Sequence, residues 1–303
     1  MKKRLLLRKD QRELILLTIP GILLLFFMNY VPMGGAVIAF KQYNPNAGIW
    51  GSEWIGFKNF EYFFSSLDAW RISRNTIAYA LVFRVVGTIA AIALAMMFFE
   101  VTSKKALKFY QTVAILPHFL SWAIVGYITY AFLNPASGVL NSIVESFGGE
   151  SIDWYAKKEY WPVILTVVNT WKCVGMDSMI YYAALMAIDT EMLEAAKLDG
   201  VSKWQEIWYI KLPSIAPVIS ILTILGLSNI FRGDFGLFYQ IPRNVGLLYP
   251  ATDIVDTYIY RGLENANIGI TSAVGLFQSL VGLVLVLGTN AIVRKIDPEK
   301  SLF

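Results

Sequence analysis

Lys172 and Asp177 stand inside a long apolar stretch, with Asn169 and Trp171 just before them and Tyr181 and Tyr182 just after. A charged residue at the centre of a bilayer costs about 2.5–3.5 kcal/mol to insert, so each needs a reason to be there. At about 100° per helical residue, Lys172 and Asp177 lie about 140° apart around one helix. They are poor partners for each other and must face another helix, another subunit or water. Asn229 and Arg232 at the end of the next apolar stretch, and Gln278 in the last one, could line the same cavity. The chemistry on offer is polar binding along a path. The competing use of such residues is hydrogen bonding between helices, which suits Arg84 better.

Catalytic devices are missing from the sequence. No G-x-x-x-x-G-K-[ST] phosphate loop occurs, so the chain does not bind ATP by that device. There is no nucleophile elbow, zinc motif or cluster of His and Cys, and no carboxylates pair at a catalytic spacing. The single Cys173 excludes an internal disulfide and a multi-cysteine metal site. The lone His118 follows Pro117 and reads as an interfacial packing residue. The expectation is a protein that is not an enzyme and holds no metal or cofactor.

A second polar feature lies between two apolar stretches: EAAKLDGVSKWQEIWYIKLPSIAP, residues 194–217. Asp189 or Thr190 can cap a helix, with Glu191 in its first turn facing the positive dipole end. That helix should run through Leu198 and stop at Gly200, which suits the left-handed conformation after a helix end. Ser202 and Gln205 form a capping box that opens a second helix, and Pro213 is expected to close it. Glu194, Ala195 and Ala196 put small residues mid-helix, where the walls of a partner can come close. Leu193, Ala196, Val201, Trp204 and Ile207 supply apolar surface that an ordinary loop would lack. A hairpin lying flat on a bilayer, held by Trp204 and Trp208, would have the same pattern.

The elements that must carry these residues are membrane helices. Of 303 residues, 56% are hydrophobic and 16% charged, against about 25% charged in a soluble domain. The mean hydropathy is +0.53. Nine Trp, 16 Tyr and 19 Phe give the aromatic excess expected at headgroup level. Six apolar stretches of spanning length are predicted, at 14–40, 76–99, 110–133, 161–188, 215–231 and 271–293. The second is rich in small residues (Gly87, Thr88, Ala90, Ala91, Ala93, Ala95) that let helices approach closely. The first lacks a cleavage site and reads as a retained helix, not a signal peptide.

Fifteen of the 26 Lys and Arg residues fall in the first twelve residues, the 100–109 loop, the 189–217 loop and the tail. The opposite loops, 41–75, 134–160 and 232–270, are longer yet hold fewer basic residues, outnumbered there by Asp and Glu. Cytoplasmic loops carry the Lys/Arg excess, so both termini and the 189–217 loop are expected inside.

Glu194-Ala195-Ala196, Asp199-Gly200 three residues on, then Trp204, Ile210, Leu212-Pro213 and Pro217 together resemble the "EAA" signature of ABC-importer permeases. Val201 replaces the usual Ala and Ile207 the common Phe. Pro117, Ser121, Trp122, Asn134-Pro135, Gly138 and Asn141 are similar to carbohydrate-type binding-protein-dependent permeases. The runs 233–240 and 253–261 resemble the oligo- and polysaccharide subgroup, and the likeness extends over about residues 10–300.

The resemblance implies an all-α polytopic protein of the type I importer permease fold. It has a cytoplasmic N-terminal segment (1–13), a permease domain (14–293) containing the 189–217 loop, and a cytoplasmic tail (294–303). It implies that Glu194, Ala195, Ala196, Asp199, Gly200, Leu212 and Pro213 couple the chain to a separate ATPase dimer, which binds the ATP. It implies a second homologous permease subunit, an extracytoplasmic solute-binding protein and a carbohydrate cargo in a bacterial cytoplasmic membrane. On that reading Asn169, Trp171, Lys172, Asp177, Tyr181, Asn229, Arg232 and Gln278 are candidates for the substrate path. Aromatic faces such as Trp171 and Tyr181 suit the C–H faces of sugar rings, while amides and charges suit their hydroxyls.

Overall fold

The computed structural model describes residues 9–227 and 229–296. Most of the expected N-terminal segment and most of the tail therefore lie outside the described residues. The chain divides into two compact units, one of residues up to 65 with 262–276, the other of 66–261 with 277 onward.

In the first unit, helix α1 (Lys9–Leu25) runs on through a π turn (Phe26–Tyr30) and a 3-10 segment (Gly34–Phe40). From Leu14 to Met33 its side chains are exposed, although nearly all are apolar. A helix that is apolar all round demands lipid or another apolar partner. It leads into a two-stranded antiparallel hairpin, β1 (Lys41–Gln42) with β2 (Glu53–Trp54), in which Lys41 pairs with Trp54. The Lys41 ammonium closes the hairpin loop by donating to the carbonyls of Ile49 (2.9 Å) and Trp50 (3.0 Å). Helix α2 (Lys58–Phe64) follows, and the Asn59 amide ties it to the Ala39 carbonyl at 2.9 Å.

The second unit is built on helix α3 (Leu67–Glu100), whose Ser66 cap accepts from the Ala69 amide. Its 34 residues span about 51 Å, well beyond the roughly 30 Å hydrocarbon core. The helix starts nine residues before the expected span, and the projecting turns carry polar work. Asn75 donates to the Asp253 carbonyl (2.9 Å), and Thr76 accepts from the Val255 amide (3.1 Å). The buried Asp253 carboxylate takes Arg71 at 3.2 Å and Arg261 at 2.6 Å. Two cations and the Thr257 hydroxyl (2.8 Å) satisfy a buried charge that would otherwise be expensive. The 249–261 segment is thus pinned to α3.

The expected third span, 110–133, is two helices. Helix α4 (Lys104–Ile115) and its 3-10 continuation to Phe119 meet α5 (Trp122–Leu133) at a bend of 99°. Pro117 forbids a continuous hydrogen-bond ladder there, and Ser121 re-caps α5 by accepting from the Ile124 amide. Helices α6 (Val139–Ser146) and α7 (Trp161–Met186) come next. Near the end of α7 its side chains join a core with α3: Ala91, Ala95 and Met96 pack on Tyr181 and Leu185, with Ile215 from the next long helix.

Helix α8 (Thr190–Leu198) and the long helix ending in α9 (Leu212–Leu227) enclose the loop singled out in the sequence. Helices α10 (Phe235–Gln240), α11 (Val255–Glu264) and α12 (Ile268–Ile296) complete the chain. Among the described residues four helices are long and apolar enough to cross a membrane, five if the bent α4–α5 pair counts as one. Helix α7 is long enough at 26 residues but is diluted by Asn169, Lys172 and Asp177.

Candidate functional site

The 189–217 loop folds from local signals. Asp189 caps α8 by accepting from the Glu191 amide at 2.9 Å. At its end the Gly200 amide donates to the Lys197 carbonyl (3.2 Å) and the Val201 amide to that of Ala196 (3.0 Å). That pair of bonds is a Schellman stop, which needs a left-handed residue; Gly200 supplies it at φ +76. The Ser202 amide then donates to the Gln205 side-chain oxygen (2.8 Å), and the Gln205 amide to the Ser202 hydroxyl (3.4 Å), which is the expected capping box.

One expectation fails. Pro213 does not close the second helix, which continues from Lys203 through Pro213 to Leu227. A proline ring normally clashes with the carbonyl four residues back. Here residues Glu206–Lys211 form a π turn immediately ahead of it, and the wider winding loosens the helix where that clash would fall.

Of the residues expected to couple, Glu194, Ala195, Asp199, Gly200 and Pro213 are exposed. Ala196 faces inward with Leu193, and Leu212 packs on the Ile215 core. Leu198, Trp204, Trp208 and Tyr209 are exposed large side chains on the same loop. Around Gly200 nothing lies within 4 Å of where a Cβ would sit.

Beneath this surface lies a cluster the sequence reading missed. Lys211 donates to Glu100 at 2.6 Å and pairs with Glu206 at 2.8 Å. Lys203 reaches Glu100 at 2.5 Å and Glu206 at 3.8 Å. Two lysines and two glutamates thus alternate around a closed ring. Lys211 is 1% exposed in its side chain and Glu206 5%, and the Phe99 ring covers the Lys211 ammonium at 4.6 Å. Glu206 and Lys211 are five residues apart, which on an α-helix would set them about 140° apart. The π turn, with its i→i+5 bonds, puts them on one face. A sequence read with α-helical spacing cannot see that pair.

The path candidates separate into two groups. Asn229, Arg232 and Gln278 come together, lining with Phe231 and Gly282 a cavity of about 300 Å³. Gln278 is held there by donating to the Phe231 carbonyl (3.1 Å) and to Asp256 (3.2 Å). The other five are spread around α7, with Trp171 and Asp177 exposed, Asn169 half-buried and Tyr181 buried. Asp177 lies in electrostatic reach of Arg84 and His118. Lys172 is 7% exposed, and its ammonium donates to the carbonyls of Leu120 (2.6 Å), His118 (2.7 Å) and Pro117 (3.4 Å). Those carbonyls lie at the bend between α4 and α5. The same ammonium stands 5.1 Å from the Trp122 ring, whose N–H donates to Asp234 at 2.8 Å.

A family model described as "Binding-protein-dependent transport system inner membrane component" matches residues 85–300. Protein LplB of Bacillus subtilis (strain 168) is 36% identical over 96% of this chain and 91% of its own length. The polygalacturonan/rhamnogalacturonan transport system permease protein YteP of the same strain is 35% identical over 98% of this chain and 93% of its own. A chain in the crystal structure of a bacterial ABC transporter involved in the import of the acidic polysaccharide alginate superposes with a TM-score of 0.85. It is 35% identical, over 95% of this chain and 97% of that one. With a family match over most of its length and relatives above a third identical across nearly all of it, the chain belongs to the family of binding-protein-dependent transport system inner membrane components.

Proposed function

We propose that this chain is one of two permease subunits of an ATP-driven bacterial importer that carries an oligosaccharide. A separate ATPase pair binds and hydrolyses the ATP, and this chain catalyses nothing itself. The observation that carries the reading is the 189–217 loop. It is a short, doubly capped element that presents Glu194, Ala195, Asp199 and Gly200 with exposed Leu198 and Trp204. Exposed apolar groups on such a loop mark a docking surface. The open space at Gly200 lets a partner's backbone come close.

The cargo follows from relatives named for polygalacturonan/rhamnogalacturonan transport and for alginate import. The cavity of Asn229, Arg232 and Gln278, with Asn169, Trp171 and Asp177 on α7, supports a polar path. The reading takes helix α7 and the bent α4–α5 pair as the two further spans of six, and the Lys/Arg bias supports cytoplasmic termini and a cytoplasmic docking loop. An extracytoplasmic solute-binding protein delivers the cargo to the opposite loops.

Purification of the chain with its partners tests this directly. Glu194→Lys and Gly200→Trp are expected to strip the ATPase from the complex while leaving the chain in the membrane. Retained ATPase and undiminished uptake in both variants overturn the reading, as does uptake that survives ATP depletion but collapses with an uncoupler. ATP hydrolysis stimulated by the binding protein, compared across saccharides, identifies the cargo.

A further inference from the structure

We propose that the charge ring of Glu100, Lys203, Glu206 and Lys211 is the joint that passes movement of the docking loop to α3, with Glu100 and Lys211 as its positioning residues. This rests on the function proposed above and adds the route by which the loop acts on the spans. Three links of the ring lie between elements or along the π turn: Lys211 to Glu100 at 2.6 Å, Lys203 to Glu100 at 2.5 Å, and Glu206 to Lys211 at 2.8 Å. Glu100 is the last residue of α3, and Phe99 beside it covers the Lys211 ammonium. Two consecutive residues of α3 therefore grip one side chain of the loop.

Adhesion alone does not account for this ring. A buried ion pair often stabilises a protein no more than apolar residues of the same volume, whereas breaking one partner away is costly. What charged hydrogen bonds add over apolar contact is direction: apolar surfaces slide, while a ring of fixed donors and acceptors holds rotation and register. The π turn points the same way. Winding Glu206–Lys211 wider than an α-helix brings both ends of the pair onto the face that meets Glu100, and π turns of this kind recur at functional positions. From the ring the contact continues inward, because α3, α7 and α9 share the core of Ala91, Ala95, Tyr181 and Ile215.

The test uses the complete transporter reconstituted with its binding protein and ATPase. Three quantities are read: ATPase co-purified, ATP hydrolysed on stimulation by the binding protein, and solute taken up per ATP. Glu100→Gln keeps the size of the side chain and leaves the Glu206–Lys211 pair intact, so it removes only the charge and one of the two acceptors that link the lysines to α3. Lys211→Met removes the hub. For Glu100→Gln, uptake per ATP is expected to fall at least about fivefold, the lower end for energetic coupling between sites, with the ATPase still bound and still stimulated. Lys211→Met is expected to fall further.

Uptake per ATP within twofold of the native value in Glu100→Gln overturns the joint while leaving the proposed function standing. Loss of bound ATPase in proportion to uptake also overturns it, since the ring would then only hold the loop's shape. If the native chain binds no ATPase at all, the proposed function fails and the joint fails with it.

Discussion

The ammonium of Lys172 makes two short charge-assisted hydrogen bonds to main-chain carbonyls at the α4–α5 bend, so its removal has a definite cost. Such bonds are worth about 1.5–3 kcal/mol each. Lys172→Met, similar in length and uncharged, is expected to lower the midpoint of thermal unfolding in detergent, with uptake falling in step. A contact made to the solute instead would reduce uptake at an unchanged midpoint, and that pattern would exclude the bend-capping role. The residue was legible in the sequence as a charge that needed a reason. Its partners were not, because they are backbone oxygens more than fifty residues upstream, freed only by the break. Gly200 shows the opposite case. Its role as a helix stop is written in the few residues around it, and the observed φ of +76 agrees. A side chain in that conformation costs about 1–2 kcal/mol, yet nothing crowds the site. Gly200→Ala is therefore expected to weaken ATPase binding measurably, short of the complete loss expected for Gly200→Trp.

At the scale of elements, signals contained within three or four residues were readable, and those requiring a change of helical winding were not. The cap at Asp189, the stop at Gly200 and the box of Ser202 with Gln205 all fall where the sequence puts them. Removing a side-chain cap costs about 1 kcal/mol. Ser202→Ala is expected to speed amide hydrogen exchange several-fold at residues 204–206 while leaving exchange within α7 unchanged. Equal exchange in both proteins would show that packing, not the cap, starts this helix. The π turn was hidden because an i, i+5 pair of Glu206 and Lys211 looks unpaired under α-helical spacing. It also reverses the meaning of Pro213, from a terminator to a residue carried inside a helix. The bend in the third span was likewise missed, although Pro117 marked its place. Apolar content alone cannot say whether a stretch crosses in one piece.

For the whole molecule, the proposed orientation rests on charge bias. Basic residues concentrate in the N-terminal segment, the 100–109 loop, the 189–217 loop and the tail, and in the three opposite loops they are outnumbered by acidic ones. A Lys or Arg left on the wrong side would have to cross the bilayer against the bias that orients spans. The bent α4–α5 pair must count as one crossing if Ser103 and Ser151 are to lie on opposite sides. The chain offers a direct test, since Cys173 is its one cysteine and can be replaced by Ala. In that background Ser202→Cys is expected to react with a membrane-impermeant maleimide only after the membrane is opened. Ser151→Cys, exposed in the opposite loop, is expected to react in intact spheroplasts. Labelling of Ser202→Cys from outside would invert the topology and leave the docking loop facing away from any source of ATP. A Ser103→Cys that labels from outside while Ser202→Cys does not would show that the bent pair turns back instead of crossing. The charge bias then could not hold at both loops, and the six-span arrangement would fall without disturbing the loop's own fold.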